Sequence, residues 1–237
     1  MPIPFLTAEW KNLIFSNYIV DPHILKQFLP AKTELDFFND NTYVSLVGFQ
    51  FYNTRIRGIK VLFHTNFLEA NLRFYVKYKD GTQWKRGTVF ISEIVPRSAI
   101  TFIANSIYHE NYRTMQMNYY LHYEENIIHA GYHWKYKKCW NKLEVVTNSK
   151  AIPIIGNSEE EFITEHYWGY SRQRDSVTFE YQVEHPRWMI FPVAEYKVNV
   201  DFPSLYGNEF SFLGESIPTS VIFAEGSKIA VYKKRKL

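Results

Sequence analysis

Residues 67–78 and 85–95 run as extended stretches on either side of Asp80-Gly81, and this long hairpin constrains the fold more than any other feature of the chain. A strand sorts its side chains by parity. Along the first arm Leu68, Ala70, Leu72, Phe74 and Val76 make one wholly apolar face. The other face carries Phe67, Glu69, Asn71, Arg73 and Tyr75, an acid, an amide and a guanidinium with a ring at each end. A tight turn centred on Asp80-Gly81 pairs Glu69 with Ser92, Asn71 with Phe90, Arg73 with Thr88 and Tyr75 with Arg86. The same register sets Leu72 against Val89 and Ala70 against Ile91, which is consistent apolar pairing.

Parity leaves two readings of the polar face open. It is either the solvent side of a half-buried sheet, or the lining of a cavity enclosed by a barrel. Glu69 and Arg73 are roughly 13 Å apart along the strand, so the two do not simply neutralise each other. The flanking rings favour the cavity, because Phe67 and Phe90 would otherwise stand in water.

The rest of the chain supports a sheet-rich fold. Aromatics are 18% of the 237 residues, with only 10 Gly and 10 Pro, and rings fit a pleated, half-buried surface. Further strands are expected at 42–56, 117–123, 127–136, 140–147, 177–183, 189–200 and 221–232. Asp21-Pro22 opens a short amphipathic helix that Pro30 stops. Apolar residues at helical spacing predict a longer helix over 97–112. Residues 159–170 read as helix or strand, and 202–207 as a helical turn. About nine strands and two or three short helices give an α+β domain, mainly antiparallel β, built as a barrel or sandwich. No linker or shift in composition divides it, so residues 1–237 are expected to form a single domain.

Several function classes drop out. A net charge of +3 gives no general reason to expect nucleic acid, and the one basic cluster, Lys233 to Lys236, reads as a solvated tail. Cys139 is the only cysteine, which rules out an intrachain disulfide and a thiolate zinc cluster. No apolar run is long enough for a membrane helix, and residues 1–10 do not resemble a signal peptide, so a cytoplasmic protein without membrane partners is expected. No phosphate loop, Gly-x-Ser-x-Gly elbow or dinucleotide fingerprint occurs. His129 and His133 share a strand face but lie roughly 13 Å apart, too far to hold one metal together. Neither a metal nor a cofactor is expected. Glu165, His166 and His185 are acid–base candidates if the fold brings them to the cavity.

The stretches Phe67-Leu68-Glu69-Ala70-Asn71-Leu72-Arg73-Phe74-Tyr75-Val76 and Arg86-Gly87-Thr88-Val89-Phe90 resemble the signature of the YqjF-like family of uncharacterised bacterial proteins. Residues 43–49, 94–97, 165–170 and 181–186 resemble that family as well, and the likeness runs over roughly residues 10–200. The family is similar in fold to acetoacetate decarboxylase, which implies a large, mainly antiparallel barrel around a buried active site. In that enzyme a lysine of lowered pKa forms a Schiff base with a keto acid. The comparable stretch here, residues 104–113, holds no lysine, and Arg113 cannot replace one because a guanidinium stays protonated. A Schiff-base lysine is therefore not evident.

The expectation is a protein that binds a small organic acid or carbonyl compound in a barrel cavity, with conversion of that compound left open. Glu69 is the candidate acid or base, Arg73 orients an anionic group and Asn71 donates a hydrogen bond. Arg97 and Tyr112 join them as weaker ligand-binding candidates. A non-catalytic carrier or interaction module using the same barrel is the alternative, and homo-oligomer formation stays open.

Overall fold

One of the two longest strands is one that alternation conceals. In the computed structural model, which describes residues 3–60, 64–103, 105–106, 111–174 and 177–237, β1 runs over Leu6–Val20. Its pairing with the next long strand slips between Lys11 and Ile14, where Asn12 takes a φ of 54°, so strict alternation breaks in mid-strand. The helix α1 (Pro22–Lys26) follows, capped by the Asp21 side chain, which accepts from the His23 amide. Next come β2 (Thr33–Leu35), β3 (Thr42–Ile56), β4 (Ile59–Lys60), β5 (Phe67–Asp80) and β6 (Gln83–Val95). Then α2 (Ser98–Ile103) leads to β7 (Tyr112–Thr114), β8 (Gln116–Glu124), β9 (Ile127–Tyr136), β10 (Cys139–Asn148) and β11 (Ile152–Pro153). Helix α3 (Glu159–Thr164) precedes β12 (Trp168–Arg174), β13 (Val177–Glu184), β14 (Met189–Phe191) and β15 (Val193–Asn199). The chain ends with α4 (Phe202–Tyr206), a 3-10 helix (Asn208–Gly214), β16 (Ser220–Val231) and β17 (Arg235–Lys236).

The strands form two sheets. In the larger one the order β16-β1-β3-β5-β6-β12-β13 returns to its start, because β13 also pairs with β16. The two seams are thin: β6 meets β12 in parallel over two residue pairs, and β13 meets β16 over two. We therefore describe a ring-like sheet rather than a barrel. The smaller sheet, β15-β10-β9-β8, covers one side of it. The architecture is mainly antiparallel with few short helices.

Parity on β5 sets the two packing layers. Leu72, Phe74 and Val76 pack between the sheets with Tyr132, Trp134 and Leu143. Gly48 on β3 allows that approach, since a Cβ there would lie 2.7 Å from the Tyr132 ring. Inside the ring a second cluster gathers Phe15, Val47, Phe49, Tyr75 and Trp188, with Phe162 and Ile163 of α3 packed into it.

Three expectations need correction. Of the helix predicted over 97–112, α2 covers Ser98–Ile103 and residues 105–106 are π-helical, while 104 and 107–110 lie outside the described residues. Tyr112 is instead on a strand, because the Asn105 side chain hydrogen-bonds both its N–H, at 2.8 Å, and its C=O, at 3.0 Å. That amide pairs with Tyr112 as a neighbouring strand would, and β7 runs parallel to β6 through backbone bonds. The hairpin turn is Gly81-Thr82 rather than Asp80-Gly81, with Asp80 opposite Gln83 and Gly81 at φ 61°. A two-residue turn with glycine at its first position matches the strand twist. Finally, the basic tail is not merely solvated. Arg235 bonds the fully buried Glu180, which also meets Lys85 at 3.2 Å, and β17 pairs with β13.

Candidate functional site

The polar face of β5 points into the ring, toward a cavity of about 250 Å³ that Phe67, Glu69, Asn71 and Arg73 help to line. Because the turn sits one residue later than expected, the β5–β6 pairing moves by two residues, which preserves each side chain's face. Tyr75 therefore opposes Thr88, and Arg73 opposes Phe90. The ladder then slips: Leu72 meets Ser92, leaving Ile91 as an extra residue in β6. Beyond this bulge Asn71 faces Glu93. Glu93, 3% exposed, thereby joins the lining. Sequence reasoning missed it; the only signal was two adjacent polar residues, Ser92-Glu93, inside an otherwise apolar strand.

Glu69 is 2% exposed. The Asn71 amide nitrogen donates to its Oε1 at 3.0 Å and the Tyr112 hydroxyl donates to its Oε2 at 3.2 Å. Burial pushes the Glu69 carboxyl up to about 7; the two hydrogen bonds and the charge of Arg73 act downward and are outweighed. Asn71 thus donates to Glu69 itself, and its Oδ1 is buried without a partner among the described residues.

Arg73 lies over rings rather than against a carboxylate. Its guanidinium carbon is 5.1 Å from the Phe15 ring centre and 5.8 Å from that of Tyr75. Its Nε is buried without a hydrogen-bond partner among the described residues, and no salt bridge there includes it. The backdrop is rigid, since the Tyr75 hydroxyl meets Ser45 Oγ at 2.6 Å and Ser45 donates to Asn17 at 2.6 Å.

His166 lines the cavity beside the same tyrosine, 4.6 Å between ring centres. The Asp36 carboxylate accepts from His166 Nε2 at 3.2 Å and from Arg86 Nε at 2.6 Å. Burial raises the Asp36 carboxyl, but these two bonds outweigh it and leave the group below its ordinary value. A carboxylate only accepts, so Nε2 carries the ring proton and Nδ1 is the acceptor. Nδ1 is buried with no partner among the described residues. Burial holds His166 down at about 4, so near neutrality it is an uncharged acceptor. His185 also lines the cavity, stacked on Trp188 at 4.4 Å, and burial lowers its pKa.

The fold therefore brings Glu69, Asn71, Arg73 and Tyr112 together, with Glu93 and His166 beside them. It does not bring Arg97, which is exposed between β6 and α2 and takes no part in the lining. Glu165 turns aside to accept from Tyr167. Among the described residues no lysine lines the cavity, and no group of three or more His, Cys, Asp or Glu could hold a metal.

Comparison with known proteins gives the context. A family profile described as "Uncharacterized conserved protein", DUF2071, matches residues 7–228. The uncharacterized protein YqjF of Bacillus subtilis (strain 168) is 27% identical over 205 residues, 83% of this chain and 78% of that protein. Among solved structures, an acetoacetate decarboxylase-like enzyme from Sphingomonas wittichii RW1 superposes with a TM-score of 0.68 at 10% identity, over 98% of this chain and 92% of that one. The acetoacetate decarboxylase of Legionella pneumophila gives 0.64 at 12% identity, over 100% and 88%. The enduracididine biosynthesis enzyme MppR complexed with pyruvate gives 0.64 at 11%, over 100% and 91%. At these identities the likeness shows the fold alone.

Proposed function

From the premise that the chain belongs to the DUF2071 family of uncharacterized conserved proteins, we propose that it binds a small organic carboxylate inside the ring and moves a proton on it. The observation that carries this reading is Arg73, a half-buried side chain in the cavity wall whose Nε is buried and which makes no salt bridge among the described residues. An unneutralised cation in a low-dielectric site favours an anionic guest, and its planar fork suits a carboxylate. The neighbour complexed with pyruvate has the same fold, which agrees with this reading.

Glu69 is the acid or base. A carboxyl held near 7 is populated in both forms at neutral pH, which suits proton transfer. Tyr112 and Asn71 are positioning residues, each fixing one oxygen of that carboxyl. Transfer at the atom beside the bound carboxylate requires no Schiff base, and no lysine lines the cavity among the described residues. The second titratable group 3.2 Å from Glu69, the Tyr112 hydroxyl, favours an enzyme over a carrier.

A thermal-shift screen of carboxylic and keto acids tests the binding half. Saturating acid raises the melting temperature of the wild type by a few degrees and leaves Arg73→Gln unmoved. Stabilisation that survives the substitution removes Arg73 from the site, and its absence from both proteins removes the acid.

A further inference from the structure

The strand register around Asn71 leaves one neighbour able to complete its hydrogen bonding. The amide nitrogen is spent on Glu69, while Oδ1 is buried without a partner among the described residues. An amide oxygen only accepts, so what it lacks is a donor. Left without one, a buried acceptor loses its hydration with no return. On the inward face Asn71 has Glu69 and Arg73 before and after it on β5, Val47 opposite on β3 and Glu93 opposite on β6. Val47 has no polar side-chain atom. Glu69 accepts from Asn71 and Tyr112 rather than donating. The Arg73 guanidinium lies over the Phe15 and Tyr75 rings, and the diagonal hydroxyl, Ser45, gives its proton to Asn17. Glu93 is what remains. Residues directly opposite each other hold their Cβ atoms roughly 4.5–5.5 Å apart, within reach of a glutamate carboxyl. A carboxylate there donates nothing, whereas a carboxylic acid supplies the missing proton.

The position of Glu93 between its neighbouring strands points the same way. Asn71 stands beside it on β5 and Tyr112 beside it on β7, and these two residues donate to the two oxygens of the Glu69 carboxyl. Glu69 and Glu93 are diagonal neighbours, 2% and 3% exposed, and both line the cavity. Two carboxyls so close in a buried site do not both ionise readily, and hydrogen bonds decide which keeps the proton. Glu69 accepts at both oxygens, which favours its ionised form; Glu93 stands against a bare acceptor, which favours its neutral form. Inside the ring, the other titratable groups on the elements packed against β6 are Arg73 of β5 and Tyr112 of β7. There β12 and α2 present Trp168, Gly169, Ala99 and Ile100, and His166 precedes β12.

We propose that Glu93 is a carboxylic acid near neutral pH, donating to Asn71 Oδ1, and that it is a positioning residue. The bond ties the carbonyl end of the Asn71 amide to β6, so the nitrogen end is held on Glu69. It has a consequence for the guest, which rests on the acid-binding reading above: a neutral Glu93 places no second carboxylate charge against an anion at Arg73.

Carbon-13 NMR of the glutamate carboxyls tests this, with Glu69→Gln and Glu93→Gln assigning the two signals. The Glu93 signal is expected at the protonated position at pH 7, staying there while Glu69 titrates. Glu93→Gln keeps a donor toward Asn71, so the Glu69 midpoint moves by no more than about 0.3 pH unit. Glu93→Leu keeps the wall apolar but has no proton to give, and raises that midpoint by about half a unit or more. Glu93→Met serves if Glu93→Leu fails to fold. An ionised Glu93 signal at pH 7, with a Glu69 midpoint about one unit lower in Glu93→Gln, overturns the assignment. Equal midpoints in Glu93→Gln and the apolar variant overturn the positioning role. Every arm uses the free protein, so failure here is distinct from failure of acid binding, which the thermal-shift screen decides.

Discussion

Two buried residues in one cavity titrate in opposite senses, and their signs make a sharp prediction. Glu69 is raised from 4.5 to about 7 in the folded chain, so between those values the native state binds more protons than the unfolded one. Its contribution to stability therefore falls as pH rises from about 4.5 to about 7. His166 is lowered from 6.5 to about 4, so the unfolded state binds more protons there and stability falls as pH drops through that window. Each shift is worth roughly 3 kcal/mol at its limit, and the two slopes oppose each other where they overlap. Denaturation followed from pH 4 to 8 reads this out. Glu69→Gln gains on the wild type as pH rises toward 7, and His166→Gln gains as pH falls toward 4. Parallel curves for wild type and both variants would mean that neither group is buried as described.

At the level of elements, the sequence showed which faces of β5 were apolar and polar but not what stood opposite them. Alternation in residues 67–76 survives any register shift of two, so the site residues on that strand were legible. The bulge at Ile91 was not, and with it went Glu93. The slip near Asn12 hid β1, and so Trp10 with it. Apolar spacing over 97–112 carried the expected helix on to Tyr112, which the Asn105 side chain instead pairs as a strand residue. Glycines test the packing of these elements. Gly48→Ala thrusts a Cβ against the buried Tyr132 ring and is expected to cost about 1–3 kcal/mol. Gly81→Ala meets open space and bears only the strain of a positive φ, about 1 kcal/mol. Urea midpoints order the two variants; a Gly81→Ala midpoint below that of Gly48→Ala would contradict the close approach of the sheets.

Across the whole molecule, the proposed function depends on closure of the ring. The ring has two thin seams, yet it buries Glu69 deeply enough that desolvation pushes the carboxyl up to about 7. Arg235, Lys85 and Glu180 clasp the last strand beside one seam, and α3 packs Phe162 and Ile163 into the interior. The covering sheet supports β5 from behind, so the polar series faces inward on a rigid strand. The proposed site joins a buried acid to a cavity-lining guanidinium that makes no salt bridge among the described residues, and the Glu69 carboxyl reports on both. A carbon-13 NMR titration of that carboxyl, free and with saturating 3-phenylpropanoate, is the direct measurement. The midpoint is expected near 7 in the free protein and higher with acid bound, because a second carboxylate nearby disfavours ionisation. A midpoint near 4.5 that does not move when acid is added would contradict it.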